Sequence, residues 1–380
     1  MNAKKINILY CNRSDCLTNP GGDTIQMLKT KEYLESSFPV SIDIALSLEE
    51  IFSSDATIVH IFNIRTVDQT LAFVSNAKKA GKIIILSPIF WDLSDALFII
   101  HMSKFKFYQF GKFYKIYKKF HRALSKISAF VIGKPYSTSS HYKNKIMDIL
   151  AEVHLLLPNS IEELTQLEHY TQLKFMHSKI IFNAIDMNIF KSVKPLQKNI
   201  IPKTVVCAAR IEPIKNQLSL IRALFYHTDI HIILIGKIGQ DQHYANLIKQ
   251  IGQERGNFTL IANHIPQNEL VKIFNSAHAH VLPSFSETTG LSSIEALCSG
   301  LKIVVSKKQF CPVYTYFQDR IDRDVFVCNP YDTESIKEAV LLSLESQTLI
   351  QKCDKRFSWE YTAQQTYLAY QSLIQKQNND

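Results

Sequence analysis

The sequence predicts an α/β protein built from two doubly wound parallel sheets. Apolar runs of strand length, rich in Ile and Val, alternate with amphipathic stretches of helix length, and the alternation starts again after residue 200. Runs with little polar alternation are typical of parallel strands buried on both faces, and the intervening helices then cover those faces. The length of 380 residues also fits two domains, since most domains hold ~100 to 200 residues.

The N-terminal half contains the first set of elements. Residues 24–36 and 67–80 carry apolar side chains three and four positions apart, which predicts helices. We expect five buried strands in this half, over residues 6–11, 40–45, 56–62, 82–88 and 153–158.

The C-terminal half repeats the pattern. The polar stretch 191–203, with Pro195 and Pro202, has no apolar periodicity and is typical of a linker. We therefore expect an N-terminal domain of residues 1–190 and a C-terminal domain of residues 204–356. The second domain is expected to contain strands over 204–209, 230–236, 258–262, 279–284, 302–306 and 325–329, and helices over 216–226, 241–253, 268–276, 291–299 and 332–346.

Composition excludes several classes of protein. Hydrophobic residues make up 46% and charged residues 20%, values that exclude an intrinsically disordered chain. The seven cysteines are scattered and form no CxxC pair, so we expect neither a disulfide framework nor a zinc knuckle, and a reduced, cytoplasmic setting. No apolar run approaches the ~18 residues of a membrane span, and residues 1–13 lack the apolar region of a secretory signal.

The densest group of functional candidates lies at residues 284–300, SFSETTGLSSIEALCSG. This segment follows a predicted strand and opens a helix, so it lies at the carboxyl edge of a parallel sheet, where ligands bind. Backbone N–H groups of Thr288, Thr289, Gly290 and Leu291 at the helix start suit an anion or a hydroxylated ligand. Glu287 and Glu295 can accept hydrogen bonds from sugar hydroxyls. The alternative interpretation is a capped surface helix with exposed glutamates.

A second candidate group lies at residues 207–224, CAARIEPIKNQLSLIRAL. Arg210 and Lys215 again follow a predicted strand and precede a helix. A guanidinium and an ammonium at one strand end can together neutralise a diphosphate. Taken alone, two basic residues in a turn are more typical of solvated surface charge.

A third candidate is the glycine pair Gly21 and Gly22, between the first predicted strand and the first helix. Two glycines there allow a ligand phosphate to approach the backbone closely. The segment has neither the third glycine of a dinucleotide fingerprint nor the Gly-Lys-Ser/Thr of a P-loop. A tight turn is the alternative interpretation.

Taken together, the three groups resemble glycosyltransferase family 4, the retaining, nucleotide-sugar-dependent enzymes of the GT-B fold with two Rossmann-like domains. The resemblance runs nearly from end to end, and its most specific part is the two glutamates with seven residues between them. The motifs occur in the family's order, as GG at 21–22, NAIDMNIF at 183–190, ARIEPIKNQ at 209–217, HVLPSFSETTGLSSIEALCSG at 280–300 and FSWEYTAQQTYLAY at 357–370.

The resemblance implies a role for each matching residue. Arg210 and Lys215 correspond to the pair that stabilises the leaving diphosphate, and the amide of Gly22 to the one that faces the phosphates. Glu295 corresponds to the glutamate that contacts the ribose, and Glu287 to the one near the donor sugar. The resemblance also implies a nucleotide-sugar donor, no cofactor and no metal, and a last helix, over 357–378, that packs back on the first domain.

The sequence departs from the family pattern at three places. Ala209 and Ala184 replace common glycines, which is tolerable if their φ angles are negative. In SPIFWD, residues 87–92, Asp92 stands near the position where many relatives have a histidine. His60 is another candidate, although a histidine on an apolar strand more often has a hydrogen-bonded core role. The catalytic role therefore stays open among Asp92, His60 and Glu287, and in a retaining transfer the donor phosphate can itself serve as the base.

One segment carries the chain's excess positive charge. Between Asp95 and Asp148 the sequence has no acidic residue and eleven Lys or Arg, within a formal net charge of +9. Aromatic residues recur there at helical spacing, a composition typical of an interfacial helix on an anionic membrane. No nucleic-acid-binding module accompanies the basic residues. The membrane or acceptor surface is predicted at Lys112, Phe113, Lys115, Tyr117, Lys118, Lys119 and Arg122.

These observations favour a retaining glycosyltransferase that transfers a sugar from a UDP- or GDP-linked donor to a glycan or lipid-linked acceptor, in cell-envelope polysaccharide or glycoconjugate synthesis. The expected location is the cytoplasm, with peripheral contact to the inner face of the membrane. Two alternatives stay open. One is a non-catalytic scaffold on the same fold that binds a membrane or a partner, and the other is a nucleotide-sugar epimerase or hydrolase.

Overall fold

The computed structural model describes residues 5–93, 138–190, 202–348 and 352–377. The chain divides into two compact units. The first takes in Met1–Trp91, Ile132–Ala184 and Lys355–Asp380, and the second takes in Asp92–Val131 and Ile185–Asp354, in each case as far as those ranges are described. The first unit is therefore assembled from separate parts of the chain.

A five-stranded parallel sheet forms the centre of the first unit. Its strands are β1 Ile6–Cys11, β2 Val40–Ala45, β3 Ile58–Phe62, β4 Ile83–Ser87 and β5 Leu155–Leu156. The strand order is β2-β1-β3-β4-β5, and every neighbouring pair is parallel. All five carboxyl ends therefore lie at one edge of the sheet.

Helices cover both faces of this sheet, because successive strand residues point to opposite faces. The helices are α1 Gly22–Ser37, α2 Glu49–Ser53, α3 Val67–Lys79, α4 Thr138–Ala151, α5 Ile161–Thr171 and, from the C-terminal part of the chain, α12 Trp359–Gln377. Ile8 and Tyr10 pack with α1 and α12, whereas Leu9 and Cys11 pack with α3, α4 and α5.

A buried polar network joins α12 to the sheet. The hydroxyl of Tyr370 lies 2.9 Å from that of Tyr10 and 2.7 Å from Nδ1 of His60. Nε2 of His60 lies 2.9 Å from Oγ of Ser87 at the end of β4. Burial lowers the pKa of His60 to about 3, so the imidazole is neutral near pH 7. The network satisfies polar groups that would be costly to bury alone.

The second unit contains a six-stranded parallel sheet. Its strands are β6 Lys203–Ala208, β7 Ile230–Ile235, β8 Phe258–Ile261, β9 Ala279–Leu282, β10 Lys302–Ser306 and β11 Val325–Cys328. The order is β11-β10-β9-β6-β7-β8. Its helices are α6 Gln217–Ala223, α7 Gln242–Arg255, α8 Gln267–Ser276, α9 Leu291–Cys298, α10 Val313–Phe317 and α11 Thr333–Glu345.

The predicted fold class is confirmed, since both units are parallel α/β sheets with helices on their faces. Each of the eleven expected strands is present, and most are shorter than predicted because their polar or proline ends leave the ladder. The expectation about cysteines needs a correction. Cys298 and Cys353 form a disulfide pair with Cα atoms 4.9 Å apart, and a pairing across 55 residues leaves no signal in local spacing.

The described helices can be compared with the length and apolarity that a membrane-spanning helix needs. Among the residues that it describes, no helix is both long enough and apolar enough to cross a bilayer.

His60 gives the first unit a pH-dependent stability. Its folded-state pKa of about 3 lies below the ordinary 6.5, so below about pH 6.5 the unfolded chain takes up a proton that the folded chain does not. The free energy of unfolding then falls by about 1.4 kcal/mol per pH unit. We expect the stability lost between pH 7.5 and pH 5.5, measured by urea unfolding, to be about 1 kcal/mol smaller in His60→Gln than in the wild type. Equal losses in both proteins would contradict this assignment.

Candidate functional site

The carboxyl ends of β6 and β9 bring two predicted groups of the second unit together. The two strands are direct neighbours, with Val205 opposite Ala279 and Val206 opposite His280. The loops that follow them, residues 209–216 and 283–290, therefore leave the sheet at the same edge. Neighbouring strand ends of this kind are where parallel sheets bind ligands.

Backbone and side-chain hydrogen bonds tie these two loops together. The amide of Phe285 donates to the carbonyl of Ile214 over 2.8 Å. Nδ2 of Asn216, a fully buried residue, donates to the carbonyls of Pro283 and Pro330 over 3.0 and 2.8 Å. Asn216 has a φ of 60°, a left-handed conformation that Asn tolerates better than most residues. Sequence reasoning missed this residue, and Asn before a helix start was the signal that could have found it.

An ion pair connects the two loops at their centre. Nζ of Lys215 lies 2.7 Å from Oε1 of Glu287, and the two side chains are 18% and 10% exposed. The amide of Glu287 donates to the carbonyl of Phe310 over 2.8 Å, which holds its backbone in place. Arg210, in contrast, is 67% exposed, with Nε 3.6 Å from Glu212. The edge thus presents one paired cation and one largely solvated cation.

Helix α9 begins at this edge. Gly290 precedes it with φ 74° and ψ 52°, a left-handed conformation that favours glycine. Within the described residues, Oγ1 of the buried Thr289 has no hydrogen-bond partner. Thr288 and Leu291 are half-buried on either side of the Thr289–Gly290 turn. The turn therefore combines first-turn amides of α9 with a buried hydroxyl that a ligand can engage.

Glu295 lies one turn into α9 and is half-buried. Burial raises its pKa to about 7, and a hydrogen bond with Gln267, at the start of α8, acts in the opposite direction. A carboxyl group with a pKa near neutrality changes its hydrogen-bonding capacity between pH 6 and 8. Its charged form accepts hydrogen bonds from vicinal hydroxyls.

Two further glycines belong to this edge and were missed by sequence reasoning. A Cβ on Gly236, which has φ 152°, would lie 2.1 Å from the carbonyl oxygen of Ala209. The amide of Ile211 donates to Lys237, and that of Gly239 donates back to Ile211, both over 3.0 Å. The loop after β7 therefore supports the Arg210 loop directly, and it can do so only with glycine at position 236.

The predicted glycine pair lies at the start of α1 in the first unit. A Cβ on Gly21 would lie 2.6 Å from Oδ1 of Asp23, whereas a Cβ on Gly22 would meet nothing within 4 Å. Asp23 accepts from Nε of Arg13 over 3.0 Å and from Nδ2 of Asn63 over 3.2 Å. The packing of the unit therefore explains a glycine at position 21 but gives no reason for one at position 22.

The two other catalytic candidates, His60 and Asp92, differ in burial. His60 is 1% exposed and both ring nitrogens have partners within the core, so it has no nitrogen to offer a ligand. Asp92 is half-buried and follows the end of β4 by five residues. His60 is therefore a structural residue, and the catalytic candidates narrow to Asp92 and Glu287.

Two other predictions concern metals and the basic segment. Within the described ranges, no three His, Cys, Asp or Glu residues lie close enough to hold a metal ion. The residues predicted to form the membrane or acceptor surface lie outside the described residues. They are Lys112, Phe113, Lys115, Tyr117, Lys118, Lys119 and Arg122.

Two parallel α/β sheet units are the architecture of the GT-B class of glycosyltransferase folds. Solved structures agree. The chain superimposes on sucrose-phosphate synthase from Thermosynechococcus elongatus with a TM-score of 0.69, 14% identity, and coverage of 98% of this chain and 100% of that chain. HepE from Anabaena, in complex with UDP and glucose, gives a TM-score of 0.65, 14% identity, and coverage of 97% and 100%.

Sequence comparison identifies the family. Residues 188–365 match "Glycosyl transferases group 1", and this part of the chain, which holds the loops just described, belongs to that family. The resemblance noted from the motifs is thereby confirmed. A curated relative, O-antigen chain mannosyltransferase B from Escherichia coli, is 27% identical over 149 residues. That alignment spans 37% of this chain and 37% of the relative.

The Lys215–Glu287 pair makes a prediction about stability. Lys215→Met leaves a mostly buried carboxylate without its cation, and we expect a loss of about 1 to 3 kcal/mol in the free energy of unfolding. Glu287→Gln in the same chain removes the unpaired charge and should restore most of that loss. A double-mutant cycle by urea unfolding measures the coupling. Additive effects of the two substitutions would show that the pair contributes nothing to the fold.

Proposed function

We propose that the protein is a retaining glycosyltransferase that uses a UDP- or GDP-linked sugar as donor. The observation that carries the proposal is the edge formed by the loops after β6 and β9. There the exposed Arg210, the mostly buried Lys215, two carboxyl groups and the start of α9 all lie within one family-matched segment. Such an edge suits a ligand that has both a diphosphate and sugar hydroxyls.

Each group has a chemical role in this proposal. Arg210 and Lys215 bind the diphosphate and stabilise the charge that develops on it when its bond to the anomeric carbon breaks. Glu287, once Lys215 turns to the diphosphate, accepts hydrogen bonds from the donor sugar, and Glu295 accepts from the ribose. The acceptor oxygen forms the new bond to the anomeric carbon. Its proton passes to the leaving phosphate oxygen or to a protein carboxylate, for which Asp92 and Glu287 are the candidates.

The names of two similar proteins support a nucleotide-sugar donor and a glycan product. HepE was solved with UDP and glucose, and the relative from Escherichia coli is a mannosyltransferase for an O-antigen chain. We propose that this protein likewise extends a glycan or a lipid-linked glycan of the cell envelope. The basic aromatic segment supports contact with an anionic membrane, since each Lys or Arg near such a surface contributes about 1 kcal/mol.

Nucleotide binding tests the donor site. Calorimetry against UDP, GDP and their sugar conjugates should identify one tight nucleotide. Lys215→Ala and Glu295→Ala should each weaken its binding about 10- to 100-fold, because a hydrogen bond to a charged group contributes about 1.5 to 3 kcal/mol. Lys337→Ala, which removes a half-buried lysine that pairs with Glu334 one turn earlier on α11, is the matched control.

The outcomes separate the transferase from its alternatives. Unchanged nucleotide affinity in both variants would overturn the assigned site. No binding of any nucleotide would favour the scaffold. Turnover of the sugar nucleotide that no acceptor accelerates would favour an epimerase or a hydrolase.

Gly22 provides a second test, because the protein itself does not need a glycine there. Gly22→Ala should keep or slightly raise the melting temperature, since alanine is the better helix former. If a donor phosphate approaches the backbone at this position, turnover of the nucleotide-sugar should fall at least about 10-fold, a change of about 1.4 kcal/mol. Gly21→Ala is the comparison, and it should lower stability through contact with Asp23. Full activity in Gly22→Ala would remove this residue from the site.

A further inference from the structure

The chain leaves β4 through a strained turn. Ile89 has a φ of 47°, a left-handed conformation that a β-branched residue rarely adopts. The turn is held from one side by the end of β3, where the amides of Asn63 and Ile64 donate to the carbonyls of Ser87 and Pro88 over 2.9 Å each. Trp91, which is buried, and Asp92 follow directly. Strain of this kind persists only where the surroundings hold it, and it concentrates at functional sites.

A buried glutamate holds the turn from the other side. Glu163, in the first turn of α5, is 0% exposed. Its Oε1 accepts from the amide of Phe90 over 2.8 Å, its Oε2 accepts from the amide of Asn159 over 2.7 Å, and the amide of Ile89 is a further donor. Both carboxyl oxygens of Glu163 therefore accept N–H groups. Burial raises the pKa of Glu163 to about 8, and these N–H donors act in the opposite direction.

The helix start does not require this carboxylate. Ser160 already caps α5, since its Oγ accepts from the amide of Glu163 over 2.9 Å. A glutamate three residues after such a serine ordinarily bonds back to the capping residue. Here one carboxyl oxygen binds the amide of Asn159, directly before the capping residue, and the other reaches across to the turn after β4. Burying a carboxyl group is costly unless its oxygens are hydrogen-bonded, and here one of those bonds goes to the turn after β4 and does not cap α5.

The same glutamate connects the turn to α1. Asn159, which donates its amide to Glu163, exchanges side-chain hydrogen bonds of 2.9 and 3.2 Å with Gln26. Gln26 lies in the second turn of α1 and also accepts from Nδ2 of Asn183 over 3.2 Å. Gln26, Asn159 and Asn183 are all buried. One polar network therefore fixes the turn before Asp92 relative to the helix that begins at Gly22.

We propose that Glu163 is a positioning residue, which holds the Ile89–Phe90 turn and thereby places Asp92 for sugar transfer. The proposal rests on the proposed function, in which Asp92 is a candidate to receive the acceptor proton. Glu163 itself touches no substrate. Its effect should therefore appear in turnover and in the order of the turn, and nucleotide affinity, which depends on the second unit, should stay the same.

Trp91 allows the turn to be observed without an activity assay. In the full chain carrying Trp359→Phe, Trp91 is the only remaining tryptophan. Glu163→Gln should increase acrylamide quenching of Trp91 at least twofold and shift its emission to longer wavelength. The matched control is Glu162→Gln, which makes the same substitution in the same helix turn one residue earlier and should leave both readings at the wild-type level.

Turnover of the nucleotide-sugar found in the binding screen provides the functional readout. Without the Trp359→Phe change, Glu163→Gln should lower kcat at least tenfold, with the nucleotide Kd within twofold of wild type, and Glu162→Gln should change neither. If Glu163→Gln does not yield folded protein, Glu163→Asp is used, because it keeps the charge and is too short to reach both amides. The same changes are expected.

The results distinguish this proposal from the proposed function. A wild-type protein that turns over no nucleotide-sugar overturns the proposed function. A wild type that is active, with a Glu163→Gln variant of equal kcat or unchanged Trp91 quenching, overturns only the role of Glu163. A loss of kcat that Glu162→Gln reproduces would also overturn it, since the effect would then come from the charge of the helix start.

Discussion

The ion pair between Lys215 and Glu287 is the interaction on which the candidate site depends. Its members come from loops that follow different strands, and both side chains are mostly buried, so each charge needs a partner. A ligand that takes one member must also supply a partner for the other. In the proposed function a nucleotide-sugar does so, since its diphosphate would receive the lysine and its sugar hydroxyls would face the carboxylate. The pair joins the two loops, and under this proposal it favours a ligand with both kinds of group.

The sequence predicts the positions of the strands and helices well, but it does not predict which of them are neighbours. Runs such as residues 302–306 identify buried strands because few other structures accommodate Ile and Val without polar alternation. The motifs around Arg210 and Glu287 are placed correctly at strand ends for the same reason. That β6 lies beside β9, so that Lys215 meets Glu287, is set by strand order, which local patterns do not contain. Gly236 was missed because its requirement is a carbonyl 27 residues earlier in the chain.

Residues of the first unit show the same limit. His60 lies near the carboxyl end of β3, and only the contacts of its two nitrogens show that it belongs to the core. In sequence, Ser160 and Glu163 have the spacing of an ordinary helix cap. This spacing gives no sign that Glu163 contacts the turn after β4. The strand that holds His60 was predicted, and for both His60 and Glu163 the tertiary partner decides the role.

The origin of α12 affects how the chain reaches its fold during synthesis. This helix supplies Tyr370 and covers one face of the first sheet together with α1, although its residues are synthesised after the whole second unit. The strands of the second unit are contiguous in sequence and can pair as soon as they leave the ribosome. Until residues 359–377 have emerged, that face of the first sheet is covered by α1 but lacks the cover of α12. Nascent chains paused between the two units would therefore expose the part of that face that α12 covers to chaperones.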